Sequence, residues 1–247
     1  MNIIRLEQTL STNLFLKELS EKQTPEEGTL VLAENQTAGR GQSGNEWESE
    51  PNKNITCSIL FYPSFLDVAR NFLLSKAVAL GIKETLDAYM DCVSIKWPND
   101  IYFEDKKIAG ILIENNIIGK KLSQSIVGIG LNVNQDVFSG KAPNPVSMKQ
   151  ILDVAVDKEI LLRELSDKIN GRYEQLKSGE YESINEEYRK SLYRSEGFYP
   201  YQDKDGQFEA EIVRVADDGL LCLITPDGEN RQYYFKEVSQ QELRTKS

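Results

Sequence analysis

SIKWPNDIYFEDKKIAGILIEN, residues 94–115, sets two apolar runs around a polar insert holding Lys96, Trp97, Pro98, Asn99, Asp100, Lys106 and Lys107. Ile95, Ile101, Tyr102 and the run at 108–113 are β-branched or apolar residues of the kind that build strands, so sheet is expected on either side of the polar cluster. Taken singly, each polar residue has a plain structural reading: lone lysines are usually solvated, and Pro-Asn-Asp is good turn chemistry. Lys107 differs in standing directly before Ile108, Ala109 and Gly110, at the entrance of an apolar strand. This stretch is the expected seat of chemistry.

Outward from it the chain alternates strand and helix signals. Residues 2–6, 29–33 and 55–62 read as strands, residues 68–90 as a long helix covering one sheet face, and 124–134 as another strand after a Gly119-Lys120 turn. A loop with two prolines is expected at 140–145, and apolar spacings of three and four predict helices across 147–192. Beyond Arg194 the pattern changes to short alternating runs separated by Asp-Asp-Gly and Pro-Asp-Gly turns, which predicts a small all-β unit. The expected division is therefore 1–194 and 195–247.

Composition excludes several classes. At 247 residues the chain can bury a full core, and 39 acidic against 29 basic side chains, a net charge of −10, oppose general attraction to nucleic acid or anionic membrane. No apolar run reaches the roughly 20 residues that span a bilayer, and the N-terminus lacks a signal-peptide layout, so a cytoplasmic location is expected. Cys57, Cys92 and Cys222 are far apart among apolar residues and are read as reduced core thiols. Histidine is absent, which removes the Ser-His-Asp triad, the Cys-His pair and His-ligated zinc. No protein-bound metal site is expected; catalysis would use lysine, arginine, carboxylates, backbone amides or a metal carried in by the substrate.

Gly39-Arg40-Gly41-Gln42-Ser43-Gly44 fits G-x-G-x-x-G, but a dinucleotide-binding reading also requires a helix opening at the third glycine. The following NEWESEPN has no helical period and is broken by proline. A surface turn and an anion-gripping loop remain, and Arg40 between glycines favours the second, since free backbone amides and a guanidinium can wrap a phosphate or carboxylate. Trp47 is open between a core role and shielding of a ligand. Ser11-Thr12-Asn13 before LFLKELSEK has the plain reading of a helix N-cap.

Together these residues carry a resemblance. Ser11-Thr12-Asn13, Gln36 with Gly39-Arg40-Gly41, Trp47, KWPND at 96–100, KIAGILIE at 107–114 and GIGLN at 128–132 occur in the order seen in biotin protein ligases of the short form without a DNA-binding domain. KWPND followed by K-x-A-G is highly specific. The resemblance implies an α+β fold, a mixed β-sheet flanked by helices, with a small C-terminal SH3-like β-barrel. It implies an ATP-dependent ligase that activates biotin as biotinyl-5′-AMP and transfers it to a lysine of a biotin carboxyl carrier protein, with Mg2+ arriving on ATP.

By the same resemblance, Ser11, Thr12 and Gln36 hydrogen-bond biotin's ureido head, and Asn13, Gly39 and Gly110 also belong to the biotin site. Arg40 and Lys107 grip the carboxylate and the nucleotide phosphate, and Asp100 orients the incoming lysine amine. Gly41, Gln42, Trp47, Asn99, Gly128, Gly130 and Asn132 fall to the nucleotide, Trp47 and Asn132 against adenine. Many family members carry arginine where Gln42 stands, which implies weaker retention of the intermediate here. Only ten residues precede Ser11, too few for a helix-turn-helix module, so no operator binding is expected. A homodimer is open, because family members pair through exposed sheet and one sequence does not show which edge is available. A lipoate ligase and a catalytically silent biotin sensor are the rival readings.

Overall fold

The computed structural model describes residues 2–139 and 144–241, so most of the loop expected at 140–145 lies outside the described residues. The main sheet contains β1 (Ile3–Thr9), β2 (Leu30–Gln36), β3 (Ile55–Phe61), β4 (Val93–Lys96), β5 (Asp100–Phe103), β6 (Lys106–Ile118) and β7 (Lys121–Leu131). Their spatial order is β1-β2-β3-β7-β6-β5-β4. β1 and β2 run parallel, and the other neighbouring pairs are antiparallel, so the sheet is mixed.

Strand alternation distributes the apolar residues over two cores. Leu30, Leu32, Ile59, Phe61, Val127 and Ile129 pack with α2 (Phe72–Asp87) and α4 (Lys158–Lys177). Between them in sequence, Val31, Leu60 and Ile126 pack with Leu16 of α1 (Thr12–Lys22) on the other face. The two long helices approach closely at Gly81, where an added Cβ would lie 2.9 Å from Ile169 Cα. The helix expected at 68–90 is interrupted near its start: a 3-10 turn, Val68–Arg70, is capped by Asp67 and precedes α2. The helical tract after 147 divides into α3 (Met148–Leu152), α4 and α5 (Tyr181–Lys190), with a Ser147–Gln150 capping box opening α3.

The second sheet comprises β8 (Tyr199–Asp203), β9 (Gly206–Val215), β10 (Leu221–Ile224), β11 (Asn230–Tyr233) and β12 (Ser239–Gln240), ordered β11-β10-β9-β8-β12 with antiparallel pairing. Among the described residues its edge strands β11 and β12 do not pair, so closure into the expected barrel is not observed. Gly219 and Gly228, at the two Asp-Gly turns, have φ of +95° and +88°. Lys76 of α2 fastens this sheet to the body. Its Nζ donates to Val215 O at 2.7 Å and Asn185 Oδ1 at 2.6 Å and lies 3.6 Å from Asp217 Oδ1, with the side chain fully buried.

One cysteine reading is corrected. Cys57 and Cys222 are buried, but Cys92 is exposed, at φ 61° in the turn before β4, because chain reversal there outweighs its apolar sequence neighbours. No helix among the described residues is long and apolar enough to cross a membrane.

Candidate active site

The site lies where the α1 face of the main sheet loses its large side chains. In register across β3 and β7, Leu60 faces Ile126, Ser58 faces Gly128, and Thr56 faces Gly130. The row continues through Gly110 of β6, Asp100 of β5 and Lys96 of β4. An apolar face thus becomes a floor of small and polar residues within two pairs. The second sheet covers it through Tyr201, Ile212, Leu221, Phe235, Lys236 and Val238, enclosing a cavity of about 460 Å³, within the range of small-molecule sites.

Ser11, Thr12, Asn13, Gln36, Arg40, Gly41, Gln42, Trp47, Asn99, Asp100, Lys107, Gly110, Gly128 and Gly130 all line this cavity. Gly39 and Asn132 do not. An added Cβ on Gly39 would lie 2.4 Å from Trp47 O, so this glycine closes the loop on itself. Asn132 is buried and donates from Nδ2 to Val146 O at 3.1 Å, which ties β7 to the segment before α3.

One end of the cavity is a hydrogen-bonded polar cluster. Gln36 Oε1 accepts from Thr12 N–H at 2.8 Å and from Thr12 Oγ1 at 3.1 Å. Ser58 Oγ lies 2.7 Å from Thr12 Oγ1 and 2.6 Å from Asn13 Oδ1. Asn13 Nδ2 donates to Glu114 Oε2 at 2.8 Å, and Arg40 is 3.1 Å from Glu114 Oε1. Ser11 stands at the N-cap of α1, yet its side chain makes no capping hydrogen bond, so the plain N-cap reading does not account for it. Ser58 belongs to none of the motifs; its signal is a hydroxyl, shared with Thr56, on the α1 face of the mostly apolar ITCSILF strand.

The central charges form a pair. Lys107 Nζ is 2.6 Å from Asp100 Oδ1, so the two groups expected to face separate substrates hold each other. A bulge makes this contact. Between Ile101 and Tyr102 the β5/β6 register shifts, placing Tyr102 opposite Lys107 in place of Ile108. Without the extra residue, alternation would send Lys107 to the opposite face from Gly110. Lys96 sits beside this pair, its Nζ 4.6 Å from the Tyr102 ring centre, and burial holds its pKa below the usual lysine range. Cys57 also borders the cavity, but burial pushes its thiol up to about 12, which removes it as a nucleophile near neutral pH.

The glycine loop forms a short hairpin. Gly41 N–H donates to Asn45 O, Trp47 N–H donates to Gly39 O, and a 3-10 turn, Gln42–Gly44, closes its tip. Trp47 then lies over the Gly110–Gly130 pair: a Cβ on Gly130 would meet its Cε2 at 2.1 Å, and one on Gly110 its Cζ3 at 3.0 Å. A Cβ on Gly128 would likewise meet Asn13 Oδ1 at 2.4 Å. These glycines, assigned by the resemblance to the biotin and nucleotide sites, here seat Trp47 and Asn13. Gly130→Ala is therefore expected to expel the indole, and in a Trp97→Phe background the emission of Trp47 should shift to longer wavelength. Asn99 is held to β6, donating from Nδ2 to Ile111 O at 2.8 Å.

A sequence profile of the biotin/lipoate A/B protein ligase family matches residues 5–132, over half the chain. The chain belongs to that family. Its matched segment ends just after β7 and includes the polar cluster, the glycine loop and the Lys107–Asp100 pair. This ligase is 30% identical over 234 residues to the bifunctional ligase/repressor BirA of Bacillus subtilis (strain 168), a match covering 90% of this chain and 69% of the relative. It is 35% identical over 141 residues to the biotin–[acetyl-CoA-carboxylase] ligase of Paracoccus denitrificans, covering 53% of this chain and 57% of the relative. Among solved structures, a biotin protein ligase mutant from Aquifex aeolicus in complex with biotin superposes with a TM-score of 0.79 at 25% identity, covering 98% of this chain and 99% of that one. The ligase thus shares its fold, C-terminal sheet included, with a protein whose structure holds biotin.

Proposed function

We propose that the cavity binds biotin and ATP side by side, joins them as biotinyl-5′-AMP with release of pyrophosphate, and passes the biotinyl group to a lysine of a biotin carboxyl carrier protein domain as an amide, with release of AMP. The observation that carries this reading is the convergence, in one cavity of a biotin/lipoate ligase fold, of a hydrogen-bonding cluster with two cations. The cluster of Ser11, Thr12, Asn13 and Gln36, with Ser58 bonded behind it, suits a ureido ring, which has both donors and an acceptor to satisfy. Arg40 and Lys107 then serve the carboxylate and the α-phosphate.

In the first step a carboxylate oxygen attacks the α-phosphorus and the bond to the β-phosphate breaks, so negative charge gathers on phosphoryl oxygens. Fixed cations stabilise that charge without a histidine base. For this, Lys107 leaves Asp100 for the substrate, and the freed carboxylate accepts a hydrogen bond from the carrier's ammonium and helps its deprotonation in the second step. Magnesium enters as part of the ATP substrate. A hydrated ion bound mainly through phosphates needs few protein ligands.

The nucleotide is assigned to the Trp47 side, so the indole must move off Gly110 and Gly130 or stack on the base. Gln42 belongs to this loop. Gln42→Arg is expected to slow release of biotinyl-5′-AMP, and equal release rates would remove that role. Residues 1–194 are assigned as the catalytic unit and 195–247 as a second unit that roofs the site. A cytoplasmic location is assigned together with the carrier substrate, and a homodimer would use the edge strand β1, because Ile95 of β4 already bonds Ser191 and Tyr193 on that strand's outer side.

Because the family also includes lipoate ligases, the deciding experiment offers biotin and lipoate together with ATP and both apo carrier domains. The expected product is a biotinylated carrier lysine detected by mass spectrometry, with the lipoyl carrier unmodified. Lipoylation in preference to biotinylation would overturn the substrate assignment.

A further inference from the structure

We propose that Lys236, on the second sheet's side of the cavity, binds the β- and γ-phosphates of ATP and the pyrophosphate that leaves. The proposal rests on the ligase reading above and names a residue outside the segment matched by the family profile.

The backbone gives the first observation. Lys236 has φ 73°, the left-handed region that favours glycine and is costly for a residue with a side chain. The turn that imposes it is fixed on several sides. Tyr234 N–H donates to Glu237 Oε2 at 2.6 Å, and Tyr234 OH donates to Asp218 Oδ2 at 3.1 Å. Phe235 meets Trp97 of the KWPND segment edge to face, ring centres 6.4 Å apart, and Trp97 Nε1 donates to Gly219 O at 3.0 Å. A lysine is therefore held in a costly conformation at the junction of the two sheets.

Charge pairing gives the second. Lys236 lines the cavity together with Arg40, Lys96 and Lys107. Arg40 is matched by Glu114, Lys107 by Asp100, and Lys96 lies on the rings of Tyr102 and Tyr193. Among the described residues the Lys236 side chain makes no ion pair or hydrogen bond. It also borders a groove on the second sheet lined by Asp203, Asp205, Glu229 and Glu237, yet none of these is within ion-pair distance. An exposed, unpaired ammonium at the rim of an adenylating site suits a polyanion that must arrive and leave, since lysine binds phosphate as a compact point charge. When the α-phosphate bond breaks, its electron pair departs on pyrophosphate, and Lys236 would offset that charge.

Lys236→Gly separates charge from backbone, because glycine accepts φ 73° without strain. In biotin-dependent pyrophosphate exchange, Lys236→Gly is expected to raise the KM for ATP and for pyrophosphate about tenfold, while the KM for biotin and the thermal midpoint do not worsen. Lys236→Arg should restore both constants. Transfer from purified biotinyl-5′-AMP to the carrier, a step without pyrophosphate, should run at the wild-type rate in Lys236→Gly. An unchanged KM for pyrophosphate, or an equal fall in the transfer step, would overturn the assignment of Lys236 alone. Absence of exchange in the folded wild-type protein would overturn the ligase reading and this assignment together.

Discussion

Lys107→Ala is expected to lose about 100- to 1000-fold in the rate of biotin-dependent pyrophosphate exchange, the usual effect of removing one donor aimed at developing charge. Two effects add here. The cation that would meet the carboxylate and α-phosphate is gone, and Asp100, which lies 2.6 Å from Lys107, is left as an unbalanced anion facing an anionic substrate. The fold should persist, because both groups border the cavity and the backbone of Lys107 stays tied to Asn144 and Val146. Circular dichroism and the thermal midpoint check that point. Exchange within about threefold of wild type, well below the expected loss, would remove Lys107 from the chemistry.

Lys76→Ala carries the largest expected loss of stability, about 3 kcal/mol or more by denaturant unfolding. The fully buried ammonium bridges α2, Asn185 of α5 and Val215 O of β9, and truncation leaves those acceptors and a void between the sheets. Burial lowers the Lys76 pKa to about 8, with Asp217 opposing the shift. Because the folded pKa lies below the unfolded value of 10.5, the unfolded chain binds more protons between those pH values, so this residue makes stability rise with pH across that window. The desolvation cost is present in full below pH 8. Lys76→Met, which cannot titrate, should lack that rise, and parallel pH profiles for Met variant and wild type would contradict the placement.

Much of this was legible in the sequence where the signal is local. Alternating strands, helical spacings and the turns at Gly219 and Gly228 mark the elements, and the residues assigned to the site gather, Gly39 and Asn132 excepted, into one cavity. What escaped depends on contacts between distant segments. The direction of Lys107 follows from a bulge that counting by two cannot show. Ser58 matters only once Thr12 and Asn13 are folded onto it. Asn132 carries motif identity but is consumed in tying down a loop, and the roofing residues from Tyr201 to Val238 lie in runs that read as ordinary β-sheet. Cys92 looked buried because its neighbours are apolar, whereas a turn exposes it.

The most direct test of the account is exchange of labelled pyrophosphate into ATP by the wild-type protein, with and without biotin and with lipoate in its place. Exchange is expected to appear with biotin, to require magnesium and not to appear with lipoate. Folded protein that gives no biotin-dependent exchange, or that exchanges equally with lipoate, would contradict it.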